Sequence, residues 1–153
     1  VEYALVAHWR AAGLMPDAPP VASLPAAKQI AVVSGSCSPV TARQIAHAEG
    51  CGFTGIRIDV NRAVDATGWE AEIGRITALA LAALGTGASP LVYTARGPED
   101  EAIAGLADAC RSAGVGTSEV NDRIGAGLGS VLGQILDRGR LRRAVIAGGD
   151  TSG

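Results

Sequence analysis

The apolar positions change period several times along the chain. In residues 1–14, Leu5, Trp9 and Ala12 recur at helical spacing with Gly13 near the end, which predicts the tail of an amphipathic helix. Residues 15–24 have no period, and Pro16, Pro19 and Pro20 fix φ and remove donors there, so this stretch reads as a linker. Residues 28–34 are a short β-branched run and predict a first strand, broken at Gly35. Ser38 as N-cap with Pro39 in the first helical position then predicts a helix to about Glu49, stopped by Gly50-Cys51-Gly52. Ile56, Ile58 and Val60 alternate in a second strand over residues 53–60, followed by a polar turn over 61–67. Trp69, Ile73, Ile76, Leu79, Ala80 and Leu84 trace one face of a long helix closed by Gly85-Thr86-Gly87.

The second half repeats the alternation. Residues 90–95 predict a third strand, and Gly97-Pro98 with Glu99, Asp100 and Glu101 predicts a helix start with acidic side chains favouring the dipole. That helix ends at Ala113-Gly114, and another begins around residues 121–124, with Leu128, Val131, Leu132, Ile135 and Leu136 as its buried stripe. Gly125, Gly127, Gly129 and Gly133 weaken its propensity, so close packing against a neighbour is expected to hold it. Ala144 to Ala147 read as a buried strand that runs into Gly148-Gly149. Strands alternating with helices of this length predict an α/β domain with a mostly parallel sheet covered by helices on both faces, a Rossmann-like three-layer architecture.

Composition narrows the class. At 153 residues the chain has the size of one domain, and 48% apolar residues support a folded core. Aromatics supply only 3%, so aliphatic side chains must do the packing, and 21 glycines imply close backbone approaches. A net charge of −2 argues against a nucleic-acid or anionic-membrane partner. No apolar run approaches the ~20 residues of a membrane span, and the first residues do not read as a signal peptide. Cys37, Cys51 and Cys110 are odd in number and lack metal-ligand spacing, which suits a reducing cytoplasm. Val1 reads as the interior of a helix and Gly153 falls in mid-motif, so both ends read as cut from something longer.

Candidate chemistry sits at two strand ends. Ser34-Gly35-Ser36-Cys37-Ser38 and Gly148-Gly149-Asp150-Thr151-Ser152 each combine glycine with short polar side chains after a strand. Without a blocking Cβ, backbone N–H groups in such turns can reach a phosphate. If the two strands lie close in the sheet, both loops face one crevice beyond the strand ends. This is not a P-loop: the one lysine, Lys28, opens a strand, and neither Gly-x-x-x-x-Gly-Lys nor Gly-x-Gly-x-x-Gly occurs. Asp59 stands where a dinucleotide fold keeps its ribose-binding acid, or simply shapes the turn that follows it. Cys37 before a helix N-terminus is either a reactive thiol or a small loop filler. His8 and His47 lack ligand partners at helical spacing. Arg142 and Arg143 read as a solvated approach to a strand, Arg96 as a better candidate for a nucleotide-facing cation, and Trp69 as a packed anchor.

The motifs Val32-Val-Ser-Gly-Ser-Cys-Ser-Pro-Val-Thr-Ala-Arg-Gln-Ile45 and Ala147-Gly-Gly-Asp-Thr-Ser-Gly153, in this order, resemble the four-carbon acid sugar kinases. The resemblance spans residues 25–153. It implies the C-terminal nucleotide domain of an ATP-dependent kinase for acids of the erythronate, threonate or 3-oxo-tetronate kind. On that likeness residues 1–14 are the last helix of a separate substrate domain, 15–24 the linker, and 25–153 the nucleotide-binding domain without its C-terminal end. Ser34, Gly35, Ser36 and Ser38 would line one side of the ATP phosphates, and Gly148, Gly149, Asp150 and Thr151 the other. With no lysine in either loop, neutralisation would come from N–H groups, helix N-termini, an arginine and Mg²⁺, with Asp150 either nearest the metal or a cap for a following helix. No residue stands out as a general base, and the resemblance would place it in the substrate domain. The expected partner is a small sugar acid, the expected location cytoplasmic, and the oligomeric state open. A Rossmann-like NAD(P) domain using Asp59 and a non-catalytic phospholigand-binding module are the alternatives.

Overall fold

The computed structural model describes residues 2–15 and 25–148. The linker assigned to 15–24 and the loop residues Gly149, Asp150 and Thr151 therefore lie, apart from Met15, outside the described residues. The chain forms α1 (Glu2–Ala11), β1 (Ala31–Ser34), α2 (Pro39–Gly50), β2 (Phe53–Arg57), a 3₁₀ turn (Val60–Val64), α3 (Ala66–Gly85), β3 (Ser89–Tyr93), α4 (Glu101–Ala113), α5 (Thr117–Gly139) and β4 (Ala144–Ala147). The four strands are all parallel, in the order β2-β3-β1-β4. The α/β, parallel, three-layer expectation is borne out.

Register decides which side chains meet which helices. Val32 pairs with Leu91 and Val145, and Val33 with Val92 and Ile146, so odd and even positions of neighbouring strands share faces. Val33, Ile56 and Val92 bury against α3 and α5 in the larger core, with Trp69, Ile76, Leu128 and Ile135. Leu91 and Tyr93 bury against Ile45 of α2 on the opposite face. The chain crosses from β1 outward to β2 over one face and returns from β2 through β3 to β4 over the other. A constant crossover hand requires that change of face when the direction reverses. The reversal leaves the loops after β1 and β3 diverging at adjacent strand ends.

Several boundaries differ from the sequence expectation. β1 starts at Ala31, because the Ile30 N–H is taken by Ser89 Oγ at 3.1 Å and Gln29 Nε2 donates to Leu84 O and Ala88 O. β2 ends at Arg57, and the polar turn becomes a 3₁₀ turn capped by Asp59. Gly97-Pro98 does not start α4. Gly97 turns at φ 116°, and Asp100 caps the helix by accepting the Ala102 N–H at 3.0 Å. α5 starts at Thr117 rather than at 121–124, with Gly116 as its cap. The packing expected around its glycines occurs at Gly127, where a Cβ would stand 2.4 Å from the Trp69 ring, while Gly125, Gly129 and Gly133 open onto free space. β4 is a strand as expected but not a buried one: Val145 and Ile146 are each 47% exposed, because the packed helices cover β1 to β3 and β4 pairs only along β1.

Candidate functional site

The two glycine–hydroxyl loops leave neighbouring strands. β1 and β4 pair along their whole length, and the ladder continues past β1 as the Gly35 N–H donates to Ala147 O at 3.0 Å. On its other side β1 closes onto β3, the Thr94 N–H donating to Ser34 O at 3.0 Å. The ends of β1 and β4 are thus adjacent, while the connections change face on the other side of β1, between β1 and β3. Gly148 has φ 145°, a backbone conformation that only glycine adopts without strain, so it redirects the chain at the end of β4.

The loop residues differ in what they can still offer. Ser34 is 2% exposed, and its Oγ has no hydrogen-bond partner among the described residues. Gly35 has spent its N–H on the sheet. Thr41 Oγ1 donates to Ser36 Oγ at 2.8 Å, so the 2.9 Å contact between Ser38 and Thr41 must have Ser38 as donor. Ser38 Oγ also accepts the Thr41 N–H at 3.1 Å and caps α2 as expected. One hydroxyl proton in this relay, that of Ser36, is left without an acceptor among the described residues. The Ser36 and Cys37 backbone N–H groups are likewise unspent there. Unspent donors at a helix N-terminus are what an anion needs.

A cavity of about 410 Å³ adjoins this loop. Gly35 and Cys37 form one wall, Thr94 and Ala95 after β3 the floor, and α4 and α5 the sides, through Ile103, Leu106, Asn121, Ile124 and Gly125 among others. Burial, and then the Asp100 carboxylate, push the Cys37 thiol up, which favours the small loop filler of its two readings over the reactive thiol. Asn121 and Gly125 entered the sequence reading only as a helix start and a weak helix residue. Once the helix is known to begin at Thr117, the i, i+4, i+8 stripe Thr117, Asn121, Gly125 is visible as one face.

Asp59 belongs elsewhere. β3 lies between β2 and β1, so Asp59 follows the strand farthest from the hydroxyl loops, whereas a dinucleotide fold needs its acid beside the first strand. Its carboxylate accepts the Asn61 N–H at 3.1 Å and pairs with Arg62 at 3.5 Å, and its N–H donates to Glu72 Oε1 at 2.7 Å. Burial would raise the Glu72 carboxyl, but the Arg75 hydrogen bonds, the Asp59 N–H and the Arg75 and Arg62 charges outweigh it and hold Glu72 below the usual carboxylate range. Arg96 is also committed: its guanidinium lies 4.8 Å over the Tyr93 ring, donates to Tyr93 Oη at 2.8 Å and pairs with Glu49 at 2.5 Å. Arg143 donates to Pro25 O at the opposite end of β4, far from the crevice. Among the described residues no cluster of His, Cys, Asp and Glu could hold a metal ion, and no helix is long and apolar enough to cross a membrane. Asp150, the expected metal residue, lies outside the described residues.

Residues 31–153 match the family described as the nucleotide-binding C-terminal domain. The chain belongs to that family. The nucleotide-binding C-terminal domain is also what the two motifs implied through their likeness to the four-carbon acid sugar kinases, and that likeness is borne out. The chain is 46% identical over 156 residues to 3-oxo-isoapionate kinase of Paraburkholderia graminis. The alignment covers all of this chain and 33% of that kinase, so the chain spans about a third of the length of the curated relative it matches. In this nucleotide-binding domain the candidate phosphate site is the β1 loop at the α2 N-terminus, beside the end of β4.

Proposed function

We propose that this domain binds the phosphates of ATP in the crevice between the β1 and β4 loops, within a kinase that phosphorylates a sugar acid. The substrate would be of the four-carbon kind or similar to the 3-oxo-isoapionate named for its relative. The observation that carries the reading is the Gly35–Ala147 hydrogen bond, which puts both loops on one pair of strand ends. Ser36 O–H, the Ser36 and Cys37 N–H groups and the α2 N-terminus are the donors on one side. Gly148, Gly149, Asp150 and Thr151 would supply the other side.

Phosphoryl transfer asks the protein mainly to position the phosphates and to stabilise charge on the transferred group. The absence of lysine from both loops makes backbone N–H groups and hydroxyls the main neutralising groups from this domain. Mg²⁺ bound with the nucleotide would add charge neutralisation, with Asp150 as the residue for it. The group that accepts the sugar hydroxyl proton would come from outside these residues.

Calorimetric titration of the intact protein with Mg·ATP, and separately with NADH, tests this. Mg·ATP binding that Thr151→Ala weakens, with no NADH heat, is expected, followed by turnover in a sugar-acid screen. NADH binding without ATP binding would sink the proposal.

A further inference from the structure

We propose that the open edge of β2 and the outward face of α3 form a two-fold interface with a second copy of this chain. The helices of the domain differ in what they turn outward. α2 exposes Arg43, Gln44 and His47, and α5 exposes Asp122, Ser130, Asp137 and Arg138. Over Ile76 to Gly85, the second half of α3, no side chain is charged or an amide, and the exposed positions are Ala78, Leu79, Ala82 and Gly85. Leu79 is 43% exposed. An uncharged apolar helix face of this kind marks a surface that something covers.

The sheet edge beside that face is open as well. β2 is an outer strand and pairs only with β3. The Ile58 N–H donates to Tyr93 O, so in the parallel alternation Thr54, Ile56 and Ile58 turn their main chain to β3, and Phe53, Gly55 and Arg57 turn theirs outward. Arg75 Nη2 covers one outward group, the Arg57 carbonyl, at 3.2 Å. The Gly55 N–H and C=O make no hydrogen bond on that edge among the described residues. A groove of about 450 Å³ runs from Gly55 to Leu79 and Ala82 of α3.

Three features select a second copy as the occupant. Antiparallel pairing of two β2 edges about Gly55 gives each outward donor an acceptor on the other copy, as a two-fold axis requires. Arg57 lies level with Arg75, and two strand residues rise about as far as four helix residues, so Gly55 lies level with Leu79. The same axis therefore sets Leu79 against its own copy and Arg75 near the small Ala82 of the other. Charge does not oppose the contact, because Arg57 and Arg75 are neutralised within their own copy by Asp100 and Glu72. The area also suffices. α3 is about 30 Å long and the helix layer with the sheet edge about 20 Å deep, giving roughly 600 Å² per copy, the lower end of a specific interface.

The test is analytical ultracentrifugation of the intact protein, joined to hydrogen exchange at the Gly55 amide. Expected is a dimer with a micromolar dissociation constant and slow Gly55 exchange. Leu79→Glu puts two like charges at the axis and should weaken association about 100-fold or more while speeding Gly55 exchange. Mixed with Leu79→Lys, it should associate about tenfold more tightly than either variant by itself, as a position facing its own copy demands. Ala82→Glu, at another exposed position, should also dissociate the dimer and keeps the proposal testable if the Leu79 variants fold poorly. A wild type that stays monomeric would overturn the proposal, and slow Gly55 exchange in that monomer would give the edge to another segment of the same protein. A dimer that Leu79→Glu and Ala82→Glu both leave intact would overturn it too, since the copies would then meet elsewhere.

Discussion

Two strand ends in this domain carry polar residues, and hydrogen-bond accounting separates them. After β2, each group is committed: Asp59 caps a 3₁₀ turn and pairs with Arg62, its N–H goes to Glu72, and Glu72 is held by Arg75. After β1, the loop keeps, among the described residues, a free hydroxyl proton on Ser36 and unspent N–H groups at a helix start, beside a cavity in which the Thr94 hydroxyl makes no hydrogen bond. Both ends are polar in the sequence, hydroxyl and glycine after β1 and charged or amide side chains after β2. Polar groups spent on one another build structure; polar groups left over await a ligand.

The sharpest way to break that contrast is at Glu72. Its carboxylate is 6% exposed and serves both Arg75 and the Asp59 N–H, so Glu72→Ala should cost about 2–3 kcal/mol of stability, read by denaturant unfolding. Nucleotide affinity should not change; a large loss would place the β2 end in the site. The same carboxylate has a pH signature. Its folded pKa is depressed, so its contribution is complete above the unfolded carboxylate range near ~4.3 and is lost as pH falls through the lower folded value. The melting temperature of Glu72→Gln should therefore decline less steeply below about pH 4 than that of wild type.

The β1 end should answer in the opposite currency. Ser36→Ala removes the free hydroxyl proton and should weaken Mg·ATP about tenfold, with stability within about 0.5 kcal/mol of wild type. Ser38→Ala removes the α2 cap and should cost about 1 kcal/mol of stability, with a smaller effect on binding. If Ser38→Ala hurts binding more than Ser36→Ala, the proton assignment in the Ser38–Thr41–Ser36 relay is reversed. The smallest effect is expected from Asp59→Ala, about 0.5–1 kcal/mol of stability from a lost turn cap. Loss of nucleotide affinity there would favour a dinucleotide fold instead.

The sequence by itself determined the local features, because their causes lie within a few residues. Helical and strand periods, the Ser38–Pro39 helix start and the two glycine–hydroxyl loops were all legible, and so was the family through those loops. What failed were boundaries and burial set by distant partners. Pro98 offered a good helix start, yet Asp100 caps α4 while accepting the Arg96 N–H and pairing with Arg57 from β2, a residue 43 positions away. The apolar run Ala144–Ala147 reads as buried, but burial needs a neighbouring layer, and β4 has only β1 beside it among the described elements. Only the tertiary structure decided that β3 inserts between β1 and β2, which separates Asp59 from the β1 strand end and brings Thr94 to the cavity beside the β1 loop. Strand order follows from long-range packing of helices on both faces, and no local pattern encodes which strand becomes whose neighbour.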